Sequence, residues 1–587
     1  MVFTASLFIG TLNANKVSTD RDKDKDVNAM GNGRKLLAVG LILALALGAS
    51  AYMNRVSLVL ALAKYQAHSV PVGPAREVPW SMGPVVAEQP PEERPPNIIL
   101  IVADDLGYND ISTFGGGVAD GRVQTPHIDQ LAAEGAIFTQ SYSGAGTCAP
   151  SRAMLMTGRY PTRTGFEFTP TPAGMAPIVN MVRKTIPTNL PPTLYDKELD
   201  EAKPPYEDQG LPPEEITLAE VLRDKGYATF HVGKWHLGRR NGMAAHEQGF
   251  DQSLLMASGL FLPEDDPNVV NAKVEFDPID QFLWAGMTYA NSFNSGDEDR
   301  FRPGGYLTDY WTDESIKIIE GNRHRPYLLY LAHWGVHTPL QATREDYEAV
   351  GDIQPHRLRV YAAMVRALDR SVGRIMETLA RTGQAENTVV MFTSDNGGAG
   401  YIGLPDVNHP FRGWKITQFE GGIRVPLFVR WPAVIAGGTV SDVPVAHIDA
   451  MPTLVAAAGA QLPTDRGIDG HNVLPLTQPG GEANWDRQTL FWQSGHYRVV
   501  RHGDWKLQVT SNPDTKWLFD LAKDPTEQVN LIEARPDKLA ELMALLEAHH
   551  RDKKPALYPS VVEMAVAVDK DLSQSFEGGD EYIFWPN

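Results

Sequence analysis

Asn97-Ile98-Ile99-Leu100-Ile101-Val102-Ala103, broken off by Asp104-Asp105-Leu106-Gly107, is the stretch that decides the fold. An unbroken apolar run leaves no polar face, so it reads as a parallel strand buried on both sides. The two carboxylates at its carboxyl end lie where open α/β sheets bind ligands. Working outward, the pattern returns. Tyr327–Trp334 is a second apolar run, and Thr388–Thr393 a third that ends in Ser394-Asp395-Asn396-Gly397-Gly398; Tyr227–Val232 and Val425–Trp431 add two more. Helical signals fall between them. Thr125-Pro126 opens a helix closing at Gly135, Thr217 and Glu220 form a capping box for one ending at Gly226, and residues 356–381 carry a long amphipathic pattern. Strands alternating with helices define an α/β fold with a mostly parallel central sheet flanked by helices.

The 587 residues hold 53 Lys and Arg against 72 Asp and Glu, a net charge of −19. That balance excludes nucleic acid as the main partner, which needs basic stripes to neutralise phosphate. A single cysteine, Cys148, excludes an intramolecular disulfide framework and any cluster of cysteine ligands. Residues 36–53 are almost wholly apolar and follow Arg34 and Lys35, the pattern of a signal peptide or, uncleaved, of a membrane anchor. Both readings export the body, to the periplasm or outside the cell. Residues 1–35, with the run DRDKDKD, are expected to be disordered, and a start at Met30 would give a compact export signal. Residues 54–96 read as a Pro-rich linker, 97–484 as the catalytic domain, and 561–587 as a tail. Between them, 485–560 read as a small α+β C-terminal module: an antiparallel sheet, with the hairpin Tyr497–Arg501 and Trp505–Thr510, plus the helix Pro536–His550.

Four groups of residues carry chemistry. Gly146-Thr147-Cys148-Ala149-Pro150-Ser151-Arg152 is the first, and Gly226-Tyr227-Ala228-Thr229-Phe230-His231-Val232-Gly233-Lys234-Trp235-His236 the second. The third is Asp104-Asp105 with Asp395-Asn396. Either pair alone reads as readily as a cap or a turn; together, at neighbouring strand ends, they offer the oxygen donors of a hard cation, Ca²⁺ or Mg²⁺. The fourth is His337-Thr338-Pro339, preferred to His333, together with Phe411-Arg412-Gly413-Trp414-Lys415 and Glu420-Gly421-Gly422-Ile423-Arg424. With Gly503-Asp504-Trp505-Lys506-Leu507 and Leu518-Phe519-Asp520-Leu521 further on, these residues resemble the type I, formylglycine-dependent sulfatases, of arylsulfatase type, from about Asn97 to Leu531.

The resemblance implies an alkaline-phosphatase-like core and a sulfuric ester hydrolase. It implies that a maturation enzyme oxidises Cys148 to formylglycine, whose hydrate attacks sulfur and then expels sulfate. It further implies a cation held by Asp104, Asp105, Asp395, Asn396 and the residue at 148. Arg152 would pair with these carboxylates, Lys234 and Lys415 would bind sulfate oxygens, His337 with Lys415 would protonate the leaving oxygen, and His236 would take the second proton of the hydrate. The substrate that the resemblance implies is an aryl or carbohydrate sulfate. Two competing readings are a phosphonate monoester or phosphodiester hydrolase of the same superfamily, and a non-catalytic binder of sulfated glycans. Residues 165–217 and 258–306 are long for connections and are expected to wall the pocket, with Trp284, Tyr289 and Phe293 offering aromatic faces.

Overall fold

A computed structural model describes residues 20–90, 93–172, 174–296 and 298–587. β1 (Asn97–Ala103) lies inside a ten-stranded sheet. The other strands, in chain order, are β2 (Ala136–Phe138), β3 (Ala228–Gly233), β4 (Gln252–Gly259), β5 (Tyr289–Phe293), β6 (Arg300–Phe301), β7 (Tyr327–Ala332), β8 (Thr388–Ser394), β9 (Leu427–Arg430) and β10 (Thr439–Ser441). Their spatial order is β10-β2-β9-β8-β1-β7-β3-β4-β5-β6. The five strands β8-β1-β7-β3-β4 run parallel, while β9 and β5 add antiparallel neighbours at the two sides.

Side chains of β1 alternate between two cores. Ile99 and Ile101 join one apolar cluster, and Ile98, Leu100 and Val102 the other. Two helices, α1 (Asp20–Met53) and α2 (Arg55–Ser69), precede the sheet in the chain; those that cover it and frame the site are α3 (Pro126–Ala133), α4 (Cys148–Thr157), α5 (Met175–Arg183), α6 (Leu218–Asp224), α7 (Pro278–Gly286), α8 (Leu307–Gly321) and α9 (His356–Arg381). Trp311 of α8 and Leu368 of α9 pack on the first cluster, Leu155 of α4 and Leu222 of α6 on the second. Both faces of the parallel strands are thus covered, as their continuous hydrophobicity requires. The capping box at Thr217 forms, with Thr217 accepting from the Glu220 amide and Glu220 from the Thr217 amide.

The C-terminal module is a four-stranded antiparallel sheet, β11 (Thr489–Ser494), β12 (Tyr497–His502), β13 (Trp505–Ser511) and β14 (Asp514–Asp520), packed by α10 (Pro536–His550). Leu542 and Leu546 of α10 meet Val500, Leu507 and Leu518 of the sheet.

Three expectations change. Residues 561–587 are not a tail: β15 (Val562–Ala567) and β16 (Tyr582–Pro586) pair with each other and, through β15, with Leu194–Tyr195. Met564, Val566 and Ile583 are buried in the main core, which is why the hairpin docks. The expected linker 54–96 holds α2 before its irregular stretch. The disordered segment expected over 1–35 falls in part on residues 1–19, outside the described residues; from Asp20 the chain is helical, continuing the apolar helix toward the N-terminus, since extending a helix is easier than nucleating one. No single helix among the described residues is long and apolar enough to cross a membrane. The pair Leu37–Met53 and Arg55–Ser69, bent by 72° at its break, has the length and composition together.

Candidate active site

The site forms at the carboxyl ends of β1, β3, β7 and β8, the strands whose apolar sequences place them at the centre of the sheet. Asp104 and Asp105 follow β1, and Asp395 and Asn396 follow β8 in parallel register, with the Asp395 amide donating to Ala103 O at 3.0 Å. Lys234 and His236 leave β3 through Gly233. At a φ of +110° this residue lies so close to β7 that a Cβ would sit 2.0 Å from Ala332 O, so only glycine fits. Cys148 is the first residue of α4, with Thr147 as N-cap in extended conformation. Its thiol donates to Asp104 Oδ1 at 3.6 Å and Asp105 Oδ1 at 3.9 Å.

The predicted residues converge. Arg152, one turn along α4 and fully buried, donates from Nε to Asp395 Oδ2 at 2.9 Å and from Nη2 to Asp104 Oδ2 at 3.0 Å. Lys234 Nζ lies 2.6 Å from Asp104 Oδ2, and Lys415 Nζ 2.7 Å from Asp105 Oδ1. His337 Nε2 faces Asp105 Oδ2 at 3.6 Å, while its Nδ1 bonds to Thr338 O at 2.6 Å. Three carboxylates therefore meet three cations in a buried cluster, where charges that are not paired would be costly. His333 stays out: it is buried against Ser371 Oγ at 3.0 Å.

Burial sets the titration of these groups, and their neighbours modify it. Burial and then Asp395 push Asp104 up to about 6, against Lys234 and Arg152. Burial also opposes the charge on Asp395, but Arg152 and Lys234 outweigh it and hold that carboxyl below its ordinary value. The Cys148 thiol is pushed up by burial and by Asp395, so as a plain cysteine it is a poor nucleophile. Burial and the nearby lysines hold His236 and His337 well below the ordinary imidazole value, leaving both neutral. Lys415 stays protonated, because Asp105 outweighs its burial.

A metal ion fits here. Oxygens of Asp104 and Asp105, Cys148 Sγ and a His337 nitrogen lie within 4.8 Å of one another. Asn396 donates from Nδ2 to Asp105 Oδ1 at 2.8 Å, yet its own buried Oδ1 has no hydrogen-bond partner. A buried carbonyl oxygen left without a donor, on a side chain bonded to Asp105, is an acceptor that a cation could satisfy.

Several residues escape a reading of the sequence. Tyr401 donates to Asp105 Oδ2 at 2.9 Å and accepts from Lys415 Nζ at 3.0 Å, with no motif to announce it. Trp334, at the end of an apolar run already recognised, stacks on His337 at 3.9 Å and lies under Lys234 Nζ at 4.7 Å. The cavity above Cys148, of 430 Å³, is walled from both expected segments, by Thr169–Pro172 and by α7. The aromatic candidates are elsewhere: Trp284 is buried under Lys273, Tyr289 donates to Pro303 O, and Phe293 packs on Trp80. Phe282 and Trp585 line the cavity instead.

The site joins two acidic strand ends, three buried cations and a cysteine at a helix N-terminus on an α/β core. Residues 96–460 match the family model described as Sulfatase, and 413–554 the one described as N-sulphoglucosamine sulphohydrolase, C-terminal. The chain is 29% identical to the steryl-sulfatase of Mus musculus, covering 81% of this chain and 84% of that protein. It is 34% identical to the N-acetylgalactosamine-6-sulfatase of Homo sapiens, over 66% of each. The crystal structure of Ps i-CgsB in complex with k-i-k-neocarrahexaose superposes with a TM-score of 0.62 at 28% identity, covering 79% of this chain and 95% of that one. The chain belongs to the sulfatase family and is a sulfuric ester hydrolase.

Proposed function

We propose that the protein hydrolyses a sulfate monoester of an aryl or carbohydrate alcohol, with formylglycine at position 148 as the nucleophile. The observation that carries this reading is the position of Cys148 at the head of α4, its sulfur within 3.9 Å of both strand-end carboxylates and facing the cavity. The hydrated aldehyde presents two hydroxyls. One attacks sulfur and displaces the alcohol; loss of the second hydroxyl's proton then breaks the C–O bond to sulfate and regenerates the aldehyde.

Lys234 and Lys415 hold the non-bridging sulfate oxygens. Lys415 supplies the proton to the leaving oxygen, because it is the member of the Lys415–His337 pair that carries one; His337 has its Nδ1 committed to Thr338 O and orients that oxygen. His236, neutral and with a buried Nδ1 lacking any partner, accepts the second proton. Asp104, Asp105, Asp395 and Asn396 would hold Ca²⁺, or Mg²⁺ in its place, which supplies charge to polarise the ester and acidify the hydrate. Arg152 fixes two of those carboxylates.

Export is part of the reading, with the maturation enzyme as a partner on the way. The exposed side chains of Leu37, Leu41, Leu45 and Leu47 form the apolar surface that a signal peptide or anchor presents to a membrane. The phosphonate alternative gains no support, since the family and the relatives are named for sulfate esters. The test is sulfate release from an aryl sulfate by protein made with its maturation machinery, before and after chelation. Loss on chelation and return with Ca²⁺ or Mg²⁺ is expected; full activity in a protein shown to be metal-free contradicts the cation site.

A further inference from the structure

The cavity above Cys148 has one wall made by unrelated parts of the chain. Met175 comes from α5, Met256 from β4, Ile279 and Phe282 from α7, Met287 from the turn after it, and Trp585 from β16. Each is only partly buried, so six large apolar side chains leave surface open to one space. Such surface stabilises the folded chain only when something apolar covers it. Trp585 belongs to the C-terminal hairpin, beyond both family-matched ranges, so this part of the wall belongs to this chain rather than to the family pattern.

Several neutral polar groups of the same lining are already engaged, while the indole Nε1 atoms of Trp334 and Trp585 have no partner. Ser258 Oγ accepts from the Thr288 amide at 2.7 Å, and Thr171 Oγ1 accepts from Lys203 Nζ at 2.7 Å. Gln209 accepts from the Thr171 amide and donates to Pro204 O, and Asn587 bonds to both the amide and the carbonyl of Thr169. A saccharide placed along this wall would meet two indole donors and a few hydroxyls for its many polar groups, a cost that an apolar group avoids. The charged lining groups outside the site, Glu207, Arg239 and Arg300, carry both signs and gather near Tyr206, whose ring lies 5.0 Å from the Arg239 guanidinium.

We infer that the natural substrate is the sulfate ester of an extended apolar phenol or alcohol, its hydrocarbon body lying along the methionine, Phe282 and Trp585 wall. Methionine suits this task, since its unbranched side chain adapts to an irregular apolar shape. The volume of 430 Å³ lies within the roughly 300–1,000 Å³ of ligand pockets. The inference rests on the sulfatase reading of the site and narrows its substrate.

The experiment is a homologous series, phenyl sulfate and its 4-methyl to 4-hexyl derivatives, with a sulfated monosaccharide alongside. Binding is measured by calorimetry on the Cys148→Ala protein, and turnover on the active enzyme. Each methylene is expected to tighten binding about three- to fourfold until the wall is covered. In Phe282→Ser and, separately, Ile279→Asn, that increment per methylene is expected to fall; two variants guard against one that misfolds. A flat series, or a sulfated monosaccharide bound more tightly than every alkylphenyl sulfate, overturns the inference. If turnover is absent for every ester while binding still tightens along the series, the apolar wall stands as a ligand surface, and the hydrolytic reading falls together with the assignment of these esters as substrates.

Discussion

The charges around Cys148 and those around Lys506 are both buried, but they are finished differently. Lys506 Nζ lies 2.9 Å from Glu420 Oε1 and 3.0 Å from Glu527 Oε1, with all three side chains fully enclosed. Every oxygen there has a donor: Tyr142 and Arg424 for Glu420, Gln508 and the Glu420 amide for Glu527. Around Cys148, Asn396 Oδ1 and His236 Nδ1 have none, and the cluster opens on a cavity. Closed satisfaction describes a staple, here joining the C-terminal sheet to the segment that follows Lys415. Unfilled acceptors in a cluster that opens on a cavity describe a place built for ligands.

Substitutions should separate the two clusters by what they damage. Cys148→Ala is expected to abolish sulfate release, by about 10³-fold or more, with the melting temperature little changed. Turnover within tenfold of wild type would remove Cys148 from the chemistry. Lys415→Ala should lower kcat/KM by about 10²–10³-fold, the loss typical of a removed oxyanion partner; a small effect on turnover would make Lys415 merely a partner of Asp105.

At the other cluster the damage should appear in stability. Lys506→Met removes the cation that the two buried carboxylates share, and about 3–5 kcal/mol of stability is expected to go, read by denaturant unfolding. An unchanged midpoint would show that the staple contributes nothing. The smallest effect is a pH dependence. Burial, and Glu420 beside it, push Glu527 up to about 7, against Lys506, so the folded chain holds this proton more tightly than the unfolded one. That contribution is complete below the ordinary carboxylate range and lost as pH rises to about 7. Glu527→Gln imitates the protonated form, so its melting deficit against wild type should shrink between pH 5 and pH 8. A deficit equal at both pH values contradicts the assignment.

Much of this was legible in the residues because the central strands are buried on both faces. β1 and β8 announce themselves as unbroken apolar runs, and their ends carry the four donors in register. The cysteine and lysine segments were legible for a different reason, since each is a local motif. Tyr401 was not, because its place beside Asp105 arises only when distant loops meet. The hairpin at 562–586 was read by its position near the end of the chain, although Met564, Val566 and Ile583 supply the apolar spacing of strands. Trp284, Tyr289 and Phe293 were in the right segments but face the packing, and only the fold decides which side of α7 and β5 looks into the cavity.

The central claim concerns one side chain. Mass spectrometry on the peptide spanning Cys148, from protein made in its native host, tests it most directly. A loss of about 18 Da, the exchange of CH₂–SH for an aldehyde and distinct from the gains of ordinary cysteine oxidation, is the predicted result. Intact cysteine throughout, in protein that still releases sulfate, would contradict the account.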